Sequence, residues 1–377
     1  MKRSIDRILT SHVGALPRPP GLPGFGPLAE DTPPINPRVA VAQVVSRQLQ
    51  HGVDIVGDGE FGKIGFLHYV SDRLSGMTKR ELREGEEHPT ISVGRRDTKA
   101  FPGYFGDRGG IFPFKLPVVA CTANVRFIGQ DAIRADILNL KAAMAVAGAT
   151  EGFLTAISPQ TVELVMPNEH YATPEEYLQA LADGLHDEYQ AITEAGLILQ
   201  IDDPGLAHAW QKDTSWSIEE CRQYCERRIE VLNYALRDCP AEQVRLHFCW
   251  GSYHGPHATD LELRHFIDLL YRVNASCYSM EGANPRHEFE WIVFKDAKLP
   301  AGKSIMPGVV SHASDTIEHP ELVAQRLVRY AELVGRENVV AGTDCGMMRV
   351  HPEICWAKLD ALAEGARLAT KHLWSSR

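Results

Sequence analysis

Short apolar runs that are rich in β-branched residues recur along the chain, and they restrict its fold more than any other feature. Each run ends at polar, Gly or Pro residues, as buried strands of a parallel sheet do. The eight predicted strands are Ile8–Gly14, Val53–Gly59, Gly152–Ile157, Leu197–Asp202, Val244–Cys249, Ser276–Glu281, Ser304–Val310 and Asn338–Thr343.

Helical patterns separate most of these runs. Thr173–Ala195 and Ser217–Leu236 each open with a capping-box pattern, Pro320–Val334 is amphipathic, and Pro352–Leu373 is predicted as the final helix. Eight strands that alternate with helices predict parallel pairing through right-handed crossovers, and eight strands close a (β/α)8 barrel. We therefore predict an α/β fold with a single TIM-barrel domain over residues 1–377.

One long segment departs from the alternation. Phe61–Leu116 is rich in Gly, Arg and charge, and we predict that it forms an excursion between strands two and three. Pro117–Phe127 would then be a strand outside the barrel. The Gly/Pro-rich Gly14–Pro37 is predicted to be a loop over one barrel end.

Composition excludes several functional classes. Of 377 residues, 44% are hydrophobic and 23% are charged, and the net charge is −10. Without a basic tract we expect no nucleic-acid partner, and without a run of about 18 apolar residues we expect no membrane span. The N-terminal segment is too polar for a signal peptide, so we interpret the cysteines as reduced thiols of a cytoplasmic enzyme. The sequence is compatible with a homo-oligomer as well as with a monomer.

Four side chains suited to zinc lie at predicted C-terminal strand ends, where barrel enzymes collect their functional residues. Strand five ends with His247 and Cys249, and residues i and i+2 of a strand share a face. Strand six ends in Glu281, and Cys345 follows strand eight. We predict that these four residues bind Zn²⁺, because two thiols, an imidazole and a carboxylate suit zinc better than magnesium or calcium.

Other candidate ligands are interpreted as structural. His254 and His257 are expected to be loop histidines at the barrel mouth, and Cys221 and Cys225 share a helical face without a nearby His. The remaining cysteines that we interpret as structural are Cys121, Cys239, Cys277 and Cys355.

The segments that carry the four predicted ligands are HFCWG, YSMEGANPR and AGTDCG. They resemble the zinc motifs of cobalamin-independent methionine synthase, within the methionine synthase/uroporphyrinogen decarboxylase-like superfamily. HVGALPRP, DGEFGK, ISPQTV, LQIDDP and PGVVSHAS resemble further motifs of its C-terminal catalytic barrel, in the same order. The resemblance covers most of the chain from Ile8 onward.

The resemblance implies a zinc-dependent methyl transfer to a small thiol from a methyl or other alkyl donor. It implies that Glu60 and Asp202 bind the ammonium group of an amino-acid substrate, and that His312 protonates the leaving group. Ala15 replaces a substrate-facing Ser of the family, and Val165 a folate-stacking Trp. These departures leave the acceptor thiol and the donor open, and a transferase similar to epoxyalkane:coenzyme M transferase is an alternative.

The predicted chemistry depends on the thiol pKa. A free thiol, with a pKa of about 8.5, is mostly protonated at neutral pH, whereas a zinc-bound thiol is deprotonated and still nucleophilic. Two cysteinates keep that sulfur electron-rich, which favours attack on carbon over activation of water. Asp344, beside Cys345, is predicted to orient His247 or a neighbouring ligand. Arg286, just past Glu281, is predicted to bind an anionic group of either substrate.

Three other functions remain as alternatives. A zinc hydrolase would use His, Asp and Glu ligands with a bound water, and the two predicted Cys ligands argue against it. A metal-free decarboxylase similar to uroporphyrinogen decarboxylase would hold no stoichiometric zinc. A carrier that serves a corrinoid protein would bind metal tightly without turning over free thiols.

Overall fold

The computed structural model describes residues 1–22, 33–111 and 117–375. Part of the predicted loop Gly14–Pro37 and the end of the predicted excursion lie outside these residues. The strands within the described ranges are β1 (Leu9–Thr10), β2 (Ile55–Gly57), β3 (Met77–Arg80), β4 (Val118–Cys121), β5 (Glu151–Ile157), β6 (Ile198–Asp202), β7 (Val244–Phe248), β8 (Cys277–Met280), β9 (Ser304–Val310) and β10 (Val340–Thr343).

Eight strands pair side by side in the order β1-β10-β9-β8-β7-β6-β5-β2. All of these pairings are parallel. Two hydrogen bonds join the edge strands and close the ring. The Asp54 N–H donates to the Thr10 carbonyl at 3.1 Å, and Ser11 Oγ donates to the Ile55 carbonyl at 3.0 Å. The predicted (β/α)8 barrel is therefore confirmed.

Helices surround the barrel and supply most of the crossovers. The α-helices of the described ranges are α1 (Pro37–Gln50), α2 (Val70–Arg73), α3 (Arg95–Ala100), α4 (Pro102–Asp107), α5 (Gln130–Ala147), α6 (Pro159–Val165), α7 (Pro174–Glu194), α8 (Gly205–Lys212), α9 (Ile218–Ala235), α10 (Ile267–Leu270), α11 (Pro320–Val334) and α12 (Pro352–Ser375). Short 3₁₀ helices cover Pro89–Val93, Ala241–Gln243, Leu263–His265, Glu288–Lys295 and Arg336–Asn338.

The helix ends follow local capping chemistry. Thr173 Oγ1 accepts from the Glu176 N–H at 3.1 Å, and Ser217 with Glu220 forms a complete capping box, so the predicted starts of α7 and α9 are confirmed. The sequence analysis did not predict α1 or α5. The buried face of α5 includes Asp136, and this charged residue weakens the apolar periodicity by which helices are predicted.

The long segment between β2 and β5 forms the predicted excursion. It contains α2, β3, α3 and α4, and β4 pairs antiparallel with β3 outside the barrel, as predicted. A buried arginine ties the excursion to the barrel helices, because Arg73 of α2 makes ion pairs with Asp136 of α5 and Glu188 of α7.

The hydrophobic core lies mainly between the barrel and its helices. A smaller apolar cluster fills the inside of the barrel and includes Leu9, Phe153, Ile198, Cys277 and Met306. Cys277 begins β8, so this cluster includes the N-terminal ends of strands and leaves the C-terminal ends to polar residues. Across residues 1–22, 33–111 and 117–375, no helix combines the length and the apolar character needed to cross a membrane.

Candidate metal centre

Three of the four predicted ligands meet at the C-terminal end of the barrel. One ring nitrogen of His247 and the sulfurs of Cys249 and Cys345 all lie within 4.8 Å of one another. His247 lies in β7, Cys249 directly follows that strand, and Cys345 follows β10. Side chains from two strand ends therefore converge on one point, as zinc coordination requires.

The imidazole of His247 is held by a neighbouring hydroxyl. Its Nδ1 lies 3.0 Å from Ser279 Oγ, and Ser279 is the residue opposite His247 in the β7–β8 register. Its Nε2 is buried without a hydrogen-bond partner in the described structure. Burial, with the charge of Arg245, lowers the pKa of His247 to about 3, so the ring is neutral. A neutral ring that donates from Nδ1 presents the Nε2 lone pair to an ion.

A strand irregularity precedes Cys345. The β10–β9 register shifts between Gly342 and Thr343, and Thr343 Oγ1 donates to the Cys345 carbonyl at 2.9 Å. Such irregularities redirect side chains near functional sites. The hydrogen bond with Cys345 and burial raise the pKa of Cys249 well above its ordinary value. A bound cation would favour loss of the Cys249 proton.

Glu281, the fourth predicted ligand, lies in an adjoining acidic group. One of its oxygens, a ring nitrogen of His312 and an oxygen of Asp344 all lie within 4.8 Å of one another. Its Oε1 accepts from the Trp250 N–H at 3.0 Å, and Oε2 accepts from Asn284 Nδ2 at 3.0 Å. Because Trp250 directly follows Cys249 in the sequence, the carboxylate adjoins the three-residue cluster. Its role as a ligand stays a prediction.

Asp344 was predicted to orient His247 or a neighbouring ligand, and this role stays a prediction. Ser279, and not Asp344, contacts the His247 ring. Asp344 Oδ1 accepts from the N–H groups of Gly282 and Ala283, both at 2.8 Å, and burial raises the pKa of Asp344 to about 7. Asp344 therefore orients the backbone that follows the fourth predicted ligand. Sequence spacing could not reveal this, since the two segments are distant in the chain.

Glycine at position 308 makes room for this arrangement. A Cβ at Gly308 of β9 would lie 2.1 Å from Asp344 Oδ1 and 2.5 Å from Asp344 Cα. A side chain there would displace the carboxylate, so Gly308 permits the close approach of β9 and the segment after β10.

Glu60 and Asp202 line the same pocket as His247, Cys249 and Cys345. Glu60 Oε1 accepts from Thr155 Oγ1 at 3.0 Å, and Glu60 itself has a left-handed backbone with φ 61°. Burial and the charge of Glu60 raise the pKa of Asp202 well above its ordinary value. Two buried carboxylates beside one cavity are a suitable environment for a bound cation such as an ammonium group.

His312 also lines the pocket, whereas Arg286 does not belong to its lining. His312 is buried, its Nδ1 has no hydrogen-bond partner in the described structure, and burial lowers its pKa to about 4. Arg286 Nη2 donates to the Ala258 carbonyl at 3.1 Å, outside the pocket, so the structure does not place it to bind a substrate there. Arg349, four residues after Cys345, lines the pocket although no sequence pattern predicted it.

A buried histidine network supports the segment after β7, and sequence analysis assigned His257 only to the barrel mouth. Asp260 Oδ2 lies 2.7 Å from His257 Nδ1 and 3.1 Å from His287 Nε2. His287 Nδ1 lies 3.4 Å from Glu290 Oε1, and the His287 ring stacks on Trp250 with centroids 3.6 Å apart. Since every ring nitrogen in this network has an oxygen partner, we interpret it as an ion-pair network.

Replacing His287 with glutamine is expected to reduce stability in a pH-dependent way. Burial lowers the pKa of His287, but hydrogen bonds with Asp260 and Glu290 outweigh this and raise it to about 9. The unfolded chain binds this proton less tightly, so the stabilisation is complete below about pH 6.5 and is lost as pH rises through about 9. The expected loss is about 3 kcal/mol at pH 6.5.

Urea unfolding between pH 6 and 10 would measure this effect, with His170→Gln, at an exposed position, as the control. A His287→Gln protein whose stability keeps the wild-type pH dependence between pH 6.5 and 9 would contradict a charged His287.

Residues 130–368 match the family described as cobalamin-independent synthase, catalytic domain. The chain belongs to this family. The matched region includes β5–β10 and all four predicted zinc ligands, whereas Glu60 precedes it. The family prediction from sequence is thereby confirmed.

Relatives and solved structures agree with this membership. A methionine synthase of Saccharolobus islandicus is 26% identical over 223 residues, which cover 58% of this chain and 59% of the relative. A methionine synthase of Saccharolobus solfataricus is 25% identical over 334 residues, or 86% of this chain and 92% of the relative. A B12-independent methionine synthase structure from Shewanella sp. W3-18-1, in complex with selenomethionine, has the same fold, with a TM-score of 0.74 and 20% identity over 98% of this chain and 99% of that one.

Proposed function

We propose that this cobalamin-independent synthase is a zinc-dependent methyltransferase that alkylates the sulfur of a small thiol amino acid. The observation that carries the proposal is the convergence of His247, Cys249 and Cys345 within 4.8 Å in a pocket that Glu60 and Asp202 also line. Two thiols and an imidazole that suit a metal ion thus adjoin carboxylates that suit an ammonium group, which supports the proposal.

The donor set fits zinc. The buried Nε2 of His247 has no other partner in the described structure, and the hydrogen bond with Cys345 and burial raise the pKa of the Cys249 thiol beside it. His247, Cys249 and Cys345 would hold the ion, with Glu281 as the exchangeable fourth ligand. Bound there, zinc would supply the Lewis acidity that keeps an incoming thiol deprotonated.

The chain's own residues would bind and orient the substrate. Glu60 and Asp202 would bind its ammonium group and thereby direct its sulfur toward the two cysteines. His312, neutral because burial lowers its pKa to about 4, would receive the thiol proton and pass it to the leaving group. A carbon–sulfur bond forms, the bond from that carbon to the donor breaks, and the proton leaves with the donor.

Homocysteine is the acceptor that we favour. The relatives are methionine synthases, and homocysteine is the thiol that becomes methionine on methylation. Its ammonium group would bind Glu60 and Asp202, which a thiol such as coenzyme M, lacking an amine, could not do. Ala15 and Val165 line the pocket where the family carries polar and aromatic side chains.

Metal analysis joined to a thiol screen tests the proposal. We expect about one zinc per chain and formation of methionine from homocysteine with a folate or corrinoid methyl donor, followed by mass spectrometry. Coenzyme M and glutathione serve as comparison thiols. A chain that binds no zinc, or that decarboxylates a substrate at full rate after chelation, would overturn the proposal.

A further inference from the structure

A charged side chain is buried inside the barrel directly below the candidate metal centre. Arg245 of β7 is fully buried, and it lies two residues before His247 on the same face of the strand. Burial lowers its pKa to about 10, so the guanidinium remains positive at neutral pH.

The direct contacts of Arg245 are all with uncharged groups. Its Nη1 donates to Ser11 Oγ at 3.1 Å, Nη2 donates to the His12 carbonyl at 3.3 Å, and the guanidinium lies 4.2 Å from the centre of the Phe153 ring. Arg245 Nη1 also donates to Met306 Sδ at 3.4 Å. A buried charge without a counter-charge costs several kcal/mol, so its presence calls for a compensating group nearby.

Gln200 connects the guanidinium to a carboxylate. Arg245 Nε donates to Gln200 Oε1 at 2.7 Å, and Gln200 Nε2 donates to Asp202 Oδ1 at 2.6 Å and to the Val13 carbonyl. The amide has only one consistent orientation, because a guanidinium only donates and a carboxylate only accepts. Gln200 and Asp202 both belong to β6, and the Val13 carbonyl lies in the segment that follows β1.

Strand register places this hydrogen-bonded relay of Arg245, Gln200 and Asp202 at the substrate pocket. In the β6–β7 pairing Gln200 lies opposite Arg245, and Asp202 lies opposite His247. The relay therefore rises from one layer of the barrel to the next and ends on a carboxylate that lines the pocket. The positive charge of Arg245, with that of the buried Lys63, offsets the negative charge of Asp202.

We propose that Arg245 and Gln200 are positioning residues that hold the Asp202 carboxylate in place for the ammonium group of an amino-acid substrate. The inference deepens the proposed function and rests on its assignment of Asp202 to substrate binding. By this inference, residues inside the barrel, and not only those that line the pocket, make the protein prefer a ligand that carries an amine.

The test compares two ligands that differ by an amine alone. Binding of methionine and of 4-(methylthio)butanoate, its des-amino analogue, is measured by calorimetry on the zinc-loaded protein. We expect wild type to prefer methionine by about tenfold or more, and Arg245→Met and Gln200→Leu to lose about tenfold of that preference. Arg245→Lys is expected to restore part of it. Met306→Leu, which alters another contact of the same guanidinium, is the matched control and is expected to keep the wild-type ratio.

The ratio separates positioning from a structural role, because a packing defect would weaken both ligands alike. The inference would be overturned if Gln200→Leu and Arg245→Met both kept the wild-type preference for methionine, provided that cooperative unfolding shows Arg245→Met to be folded. If Arg245→Met fails to fold, the binding ratios of Gln200→Leu and Arg245→Lys test the inference. Absence of methyl transfer in wild type would overturn the proposed function while leaving the two binding constants measurable, and equal binding of both ligands by wild type would overturn the inference itself.

Discussion

Replacing Cys345 with alanine is expected to remove zinc from the protein and to lower methyl transfer by at least about 100-fold, a loss at the upper end of what changes in outer-shell partners cost. Cys345 provides one of the two sulfurs in the three-residue cluster. Without it, His247 and Cys249 retain one imidazole and one thiol, too few protein ligands for the closed coordination that zinc prefers. Zinc content by mass spectrometry, with turnover of homocysteine, measures both effects.

Cys277→Ala is the matched control for this prediction. Cys277 is buried more fully than Cys345, and it begins β8 and packs in the apolar cluster inside the barrel, away from the strand ends that carry the three-residue cluster. Its variant is expected to keep zinc and turnover, at a modest cost in stability. Full zinc occupancy and an unchanged rate in Cys345→Ala would exclude this residue as a ligand.

Replacing Arg73 with methionine is expected to destabilise the fold by about 3–5 kcal/mol, because removing one partner of a buried ion pair leaves the other charge uncompensated. Arg73 is 3% exposed and pairs with both Asp136 and Glu188. Methionine keeps the apolar volume but removes the charge, so two buried carboxylates lose their cation. The ion pairs also join the excursion to α5 and α7. Urea denaturation followed by circular dichroism measures the loss.

Arg222→Met provides the comparison at the surface. Arg222 pairs with Asp268, whose side chain is 59% exposed, and such pairs contribute about 0–1 kcal/mol. Adding Asp136→Asn and Glu188→Gln to the Arg73 variant is expected to recover part of the stability. A loss no larger in Arg73→Met than in Arg222→Met would show that the buried cluster is not a net source of stability.

Local patterns were sufficient for the ligands that lie in strands or next to them. His247 and Cys249 were predicted from alternation along one strand, and Cys345 from its place after another, and the three side chains meet. Arg286 does not line the pocket, and its predicted role stays a prediction, because it lies in a loop beyond β8, where no periodicity sets the direction of a side chain. Arg349 does line the pocket, and the only sequence feature that pointed to it is its place four residues after Cys345.

Contacts between distant segments explain the remaining differences. The sequence suggested that Asp344 orients His247 or a neighbouring ligand. Strand register brings Ser279 opposite His247, whereas Asp344 contacts the backbone that follows Glu281. The Arg245–Gln200–Asp202 relay likewise depends on register between β6 and β7. The helix α5 was missed because its buried face includes Asp136, whose partner is 63 residues away in the chain.

By itself, the sequence determined the order of strands and helices, the closure of eight strands into a barrel, and the strand ends at which functional residues gather. These follow from side-chain periodicity and capping, which act over a few residues. Only the tertiary structure decided which side chains face one another across strands, which carboxylates adjoin the three-residue cluster, and which groups pair with the buried charges. Those contacts depend on register and on packing between distant segments, and no short stretch of sequence encodes them.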